Sequence, residues 1–315
     1  MHQVQFKRTG EDLVFPDFKS IKVSTKTFTA TSNLNLNIQE LFEKLPITTY
    51  TVIPKRRGRK KKIEVPDPNK NIPYGSIITV KCEDKLRGVN LKPSKKKQRK
   101  KWFRNSITVV IVFDKPINFK VCRNGTFQMT GCKNHKHAEL CIKYIWNYIK
   151  DDESIYTFVK GDELETLIIP SMRNIDFSLG FLVDREKLNL YMANEASSHC
   201  LLETSFGYTG VNIKMPLQSD ITQMKIKRLT YDTKTGEWTL VNTIYDEYLR
   251  GLSKKAREAK IKNTRYNTFL VFHSGKVIMS GLISNFMKPV YEEFLEMIRK
   301  SYDQIEERLE VSDFF

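Results

Sequence analysis

The chain has 315 residues, 40% of them hydrophobic, and 53 Lys and Arg set against 36 Asp and Glu give it a formal charge of +17. That length can bury a substantial core in one large domain or two smaller ones, and the cationic excess points to a polyanionic partner, nucleic acid ahead of an anionic membrane surface. The longest strongly apolar run, Ile107 to Phe113, is far too short to span a bilayer, no secretory leader is recognisable, and five scattered cysteines read as reduced thiols, so a soluble intracellular protein without disulfides is expected.

In chain order, residues 1–22 read as a tail. KTFTATSNLNLNIQEL (26–41) alternates as a strand and then offers Asn37 as a helix N-cap. The blocks KRRGRKKK (55–62) and KKKQRKKWFR (95–104) are too charged to pack and are expected to be solvated loops, binding phosphate or serving as an import signal. CRNGTFQMTG (122–131) reads as a β-hairpin turning at Gly125. A helix follows, with Leu140, Cys141, Tyr144, Ile145 and Tyr148 as its buried stripe. Cys132, His135, His137 and Cys141 are zinc-type ligands, but their spacing fits no common finger, and a helix from His135 sends Cys141 into the core instead.

Residues 151–167 read as a connection. RNIDFSLGFLVDREKL (173–188) again alternates and offers Asp184 as an N-cap; an amphipathic stretch from Val241 to Leu252 and a third basic loop, KKAREAKIKNTR (254–265), come later. FHSGKVIMSG (272–281) is a second hairpin with Gly275 at its turn, followed by a helix with Val290, Tyr291, Phe294, Leu295 and Ile298 as its stripe. Residues 306–315 read as a second tail.

These pieces form a direct repeat. Asn118 to Lys150 aligns without a gap on Thr268 to Lys300 at an offset of 150, which sets Gly125 on Gly275 and Tyr144 on Phe294. Lys26 to Leu41 matches Arg173 to Leu188 at an offset of 147, and LRGVNLKP (86–93) echoes YTGVNIKM (208–215). Each copy reads as strand, helix, several antiparallel strands, helix. Helices on one side leave the other sheet face open, with Thr27, Thr29 and Thr31, or Asn174, Asp176 and Ser178, pointing outward and Phe28 and Ala30, or Ile175 and Phe177, pointing at the helices.

The second hairpin, FHSGKVIMSG, and VYEEF at 290–294 resemble the TATA-box-binding protein family; the first hairpin, CRNGTFQMTG, resembles it more distantly. The resemblance implies an α+β fold in which two direct repeats, 23–150 and 168–305, form a saddle: a curved antiparallel sheet, helices on its convex face, and basic insertions peculiar to this chain. It implies binding of double-stranded, A/T-rich DNA in the minor groove by a monomer that recruits a transcription factor IIB-like factor and RNA polymerase, with no catalysis, cofactor or metal. Base reading falls on Asn174 and Thr27, and the groove floor on Thr130 and Ser280. The kinking wedges fall on Tyr208 and Phe272 in the second repeat and on Leu86 and Cys122 in the first. Lys276 faces phosphate where the first repeat has Thr126, and Thr29, Asp176, Leu270 and Ile278 complete the DNA-facing set. Cys122 is too small to replace base stacking and Asp176 repels phosphate, so a lopsided bend and a weakened TATA preference are expected. Because cellular members keep this core nearly free of insertions, the chain resembles a divergent relative similar to those of large DNA viruses, which implies a host nucleus or a cytoplasmic virus factory. Two other readings are a sequence-indifferent structural nucleic-acid-binding protein and the accessory DNA-binding part of a repair enzyme, though no paired carboxylates or activated nucleophile stand out for the latter.

Overall fold

The computed structural model describes residues 9–52, 68–91, 104–194, 199–203 and 210–308. In chain order its elements are β1 (Val23–Ser32), β2 (Leu34–Leu36), α1 (Ile38–Lys44), β3 (Ser76–Cys82), β4 (Lys85–Gly88), β5 (Ser106–Val112), β6 (Pro116–Cys122), β7 (Thr126–Cys132), α2 (His135–Ile149) and β8 (Tyr156–Phe158). There follow β9 (Leu164–Ser178), α3 (Arg185–Asn194), β10 (His199–Glu203), β11 (Gly210–Pro216), β12 (Lys225–Tyr231), β13 (Trp238–Ile244), α4 (Tyr245–Arg250), α5 (Lys254–Lys262), β14 (Tyr266–Phe272), β15 (Lys276–Gly281) and α6 (Ser284–Ile305). The protein is a mixed α+β molecule whose large sheet is antiparallel. It divides into two compact units, with the chain crossing between them inside β1, near the middle of β9, just before β12 and inside α4.

The first unit holds residues 27–169 and 224–248. Its strands run in the order β3-β5-β6-β7-β1, with β4 added outside β3, while β2 pairs with β8. Asn37 caps α1 by accepting the Glu40 backbone N–H, and Asn134 caps α2 by accepting that of His137. The second unit holds residues up to Lys26, 170–223 and from 249 onward, and its order is β10-β11-β14-β15-β9. Asp184 accepts the Glu186 and Lys187 backbone N–H groups at the start of α3.

The repeat is written in hydrogen bonds. In the first unit Ser32 N–H donates to the Gly125 carbonyl, Leu36 N–H to Arg123 and Asn37 N–H to Ile155; in the second, Leu179 donates to Gly275, Val183 to His273 and Asp184 to Ile305. Gly125 and Gly275 close the same turn, with φ of 68° and 72°, and a Cβ at either would stand 2.4 Å from the Leu34 carbonyl oxygen or 2.1 Å from that of Phe181. A left-handed turn pressed against backbone admits only glycine.

The helices are one residue out of step with the hairpins. Three residues separate Gly131 from His135, but only two separate Gly281 from Ser284. The buried stripe of α2 is accordingly Ala138, Cys141, Ile142, Ile145, Trp146 and Ile149, matching Met287, Val290, Tyr291, Phe294, Leu295 and Ile298 of α6. Phe294 therefore corresponds to Ile145, not Tyr144; Leu140 and Tyr144 are half-buried, and Tyr148 is exposed. Both stripes fit a helical period, and burial of the Trp146 indole selects between them.

Four sequence expectations are overturned. Residues 9–22 are packed: Leu13, Phe18 and Ile21 are buried in the second core, Phe18 lies 5.5 Å from the Tyr291 ring, and Tyr291 donates to the Pro16 carbonyl at 2.7 Å. Glu306 and Glu307 are likewise tied back, to Val183 and Leu182. Residues 151–167 contain β8 and the start of β9, with Ile155 and Leu164 buried in the first core, so they are not a mere connection. The third basic segment is the helix α5, because Ser253 caps it and Lys, Arg, Ala and Glu are good helix formers. None of its residues is buried. The stretch before it supplies β12 and β13 to the first unit: β12 pairs with Leu164–Ile168 of β9, and Tyr231 meets Trp238 and Trp146 at 4.9 and 5.6 Å. The basic blocks at 55–62 and 95–103 lie outside the described residues.

Candidate nucleic-acid interface

Alternation decides which side chains reach solvent. In the second unit Ile175, Phe177, Val211, Ile213, Phe269, Val271, Val277 and Met279 are buried, and Phe269 stacks on Phe294 of α6 at 4.0 Å. The residues between them form the opposite face. One row across it runs Asn212, Leu270, Ile278, Asp176; the next runs Lys214, Thr268, Ser280, Asn174; a third pairs Gly210 with Phe272 and Lys276 with Ser178. Phe272, Leu270 and Ile278 are thus a half-exposed apolar group edged by Asn, Ser and Lys. Six expected site residues of this repeat, Asn174, Asp176, Leu270, Phe272, Ile278 and Ser280, lie on this one face together with Lys276. Tyr208 lies outside the described residues.

The first unit buries Phe28, Ala30, Ile107, Val109, Phe119, Val121, Phe127 and Met129, so the same alternation holds. Its opposite face is polar where the second is apolar: one row runs Lys81, Thr108, Lys120, Gln128, and another Thr79, Val110, Asn118, Thr130. The Thr130 hydroxyl donates to the Asn118 carbonyl at 3.2 Å. Thr27 and Thr29 are half-buried on β1, and Thr31 is hydrogen-bonded with Tyr248, so α4 covers that end of the strand. Burial raises the Tyr248 hydroxyl pKa despite that bond.

Leu86 is not a wedge counterpart. It sits on β4, outside β3 and opposite Lys81, and is 42% exposed. The echo of 86–93 in 208–215 is accidental: β11 pairs with β14 as β5 pairs with β6, setting Val211 on Val271 and Ile107 on Val121. Gly210 therefore matches Ser106, and Arg104, two residues earlier, matches Tyr208 by count. The sequence signal was weak because β5, SITVVIV, is apolar at five of its seven positions and shares no motif with GVNIKMP. Cys122 keeps its expected place, opposite Ser106 and in line with Phe272. Burial pushes its thiol pKa up, against the nearby Lys120 ammonium.

The zinc-type cluster is spoken for by other contacts. Cys132 and Cys141 are buried and burial raises both thiols; His135 packs on Phe28 at 4.6 Å. His137 accepts the Lys133 backbone N–H at Nδ1 and places Nε2 2.9 Å from Asp114. The sequence reading missed Lys26 and Arg173, which occupy matching repeat positions; burial first, and the Arg173 charge second, lower the Lys26 pKa.

No protein-family model matches the sequence. Over 308 residues the chain is 27% identical to "Uncharacterized protein 335L" of Invertebrate iridescent virus 6, covering 91% of this chain and 86% of that protein. Among solved structures, a chain described as "Methanococcus jannaschii TBP" aligns over 90% of this chain and 99% of its own length, with a TM-score of 0.39 and 14% identity.

Proposed function

We propose that the protein binds duplex DNA through the open strand faces of its two units and acts in transcription initiation, bending the minor groove to assemble a polymerase. The observation that carries the DNA-binding part is the second unit's face, where Phe272, Leu270 and Ile278 stand between Asn174, Asn212 and Ser280 with Lys214 and Lys276 beside them. A minor-groove floor offers acceptors with little sequence difference, and apolar side chains can enter between its base steps. The charge of +17 supplies the sequence-independent attraction. Recruitment of a factor IIB-like protein and polymerase belongs to the resemblance of the hairpin motifs.

The test is bending, followed by energy transfer across end-labelled duplexes. An A/T-rich duplex is expected to bend and a G/C-rich one to bend less, with binding that weakens steeply in salt; Lys276→Gln should flatten the log-log salt slope by roughly 0.9. Salt-steep binding without bending would instead favour a structural nucleic-acid-binding protein.

A further inference from the structure

A cavity of about 570 Å³ opens in the first unit at the hairpin end of β6, lined by Arg104, Arg123, Asn35, Asn124, Ser106 and Cys122. The repeat explains why it is there. Cys122 stands where the second unit has Phe272, Ser106 where it has Gly210, and Asn35 where it has Leu182. A small thiol in place of an aromatic ring leaves space, and polar groups border it.

The charges differ between the two copies as well. Arg123 corresponds to His273, which lies 2.9 Å from Glu307 in a recess that also holds Asp184 and Glu186. Arg123 shares an adjoining recess with Glu153, yet among the described residues no carboxylate comes within ion-pair distance of Arg123 or Arg104. Arg104, Arg123, Asn35 and Asn124 thus line a space that, among the described residues, has no carboxylate in its lining.

We infer that this cavity is a phosphate-binding site, taking a backbone phosphate of DNA where the second unit inserts a ring. A planar guanidinium fork matches phosphate oxygens in pairs, and amide N–H groups complete the donors such an anion needs. The choice of a DNA backbone over a free nucleotide rests on the DNA-binding reading above; the anion site itself does not.

The test uses the full chain and alkylation of Cys122 by iodoacetamide, read by peptide mass, with half-buried Cys200 of the other unit as an internal reference. Sodium phosphate at constant ionic strength should slow labelling of Cys122 and leave Cys200 unchanged. Arg104→Gln and Arg123→Gln should each raise the phosphate concentration for half-protection by about tenfold, while continued resistance of the buried Cys132 and Cys141 to labelling reports an intact first unit. In a second arm, protection by duplex DNA at lower concentration than by adenosine monophosphate supports the backbone source. Protection by the mononucleotide alone supports the anion site while removing DNA from this face. Absence of protection by phosphate, or protection that survives both substitutions, overturns the inference.

Discussion

The two units share a frame and differ in the face they offer. Each orders five strands in the same way, closes its hairpin on a glycine at positive φ, and ties the segment before its first helix to that hairpin with two matching hydrogen bonds and to the chain at or just beyond the end of α2 or α6 with a third. Across that common frame, Leu270 and Ile278 give way to Lys120 and Gln128, and Phe272 gives way to Cys122. Burial constrains the helix-facing positions, where a changed volume costs stability, while solvent-facing positions of the same strands are free to follow a ligand. The second unit thus presents an apolar group on its solvent-facing side and the first a polar one.

The shared frame is the easiest part of the comparison to break. If Ile145 and Phe294 are true counterparts, Ile145→Ala should cost about 2–5 kcal/mol and Phe294→Ala about 3–5 kcal/mol, both being fully buried. Tyr144→Ala, at a half-buried position, should cost clearly less, its losses being ring contacts with Phe113 and Tyr74 and a 3.2 Å bond to the Tyr74 carbonyl. Denaturant unfolding of the three variants decides. A Tyr144→Ala loss equal to that of Phe294→Ala would restore the ungapped match.

The difference in faces is sharpened by exchange. Phe272→Ala should abolish most DNA bending while leaving salt-dependent binding largely intact, because unstacking and phosphate contact are separate energy terms. Cys122→Ala should change bending little. Cys122→Phe, which places a ring where the second unit has Phe272, should increase bending. Energy transfer measured on the same duplex for all three separates these outcomes; undiminished bending by Phe272→Ala would show that no wedge acts in the second unit.

Much of the frame was legible because it is periodic. The alternation of Phe28 and Ala30 with threonines, the glycines at the two turns, and the caps at Asn37 and Asp184 all follow from local rules, and the structure places them as those rules require. What was hidden depended on counting across irregular segments. The residue missing before α6 shifts its stripe without spoiling its period, so Tyr144 looked as suitable as Ile145. β4 and the basic block lie between β3 and β5, which let a chance likeness of 86–93 to 208–215 stand in for the real partner, β5. Leu13, Phe18 and Ile21 are too sparsely spaced to announce a packed segment, since their partners are Tyr291 and its neighbours far along the chain. Of the site, the second unit's face could be read from alternation and motif together. The cavity at Cys122 could not, because it is defined by a side chain that is small.

The smallest expected effect concerns a pH response confined to the first unit. There β5 and β6 are joined by the short turn Phe113–Lys115, and Asp114 in that turn meets His137 at 2.9 Å; in the second unit residues 217–265 intervene between the corresponding strands, and Phe286 stands at the position matching His137. Burial, the largest influence, lowers the His137 pKa, with Lys115 and Lys133 acting the same way and Asp114 opposing. A histidine held below its ordinary value of 6.5 is neutral in the folded state and charges more readily when unfolded. Its contribution is therefore complete above pH 6.5 and is lost as pH falls through the folded value. Thermal unfolding of the whole chain should show the first unit weakening below pH 6.5 relative to the second, followed site by site through hydrogen exchange at β6 and β14. His137→Gln keeps a polar side chain while removing the titration, so it should bring the two pH profiles together over this range. If the gap between β6 and β14 persists unchanged in that variant, the response belongs to another group and the His137–Asp114 contact is merely structural.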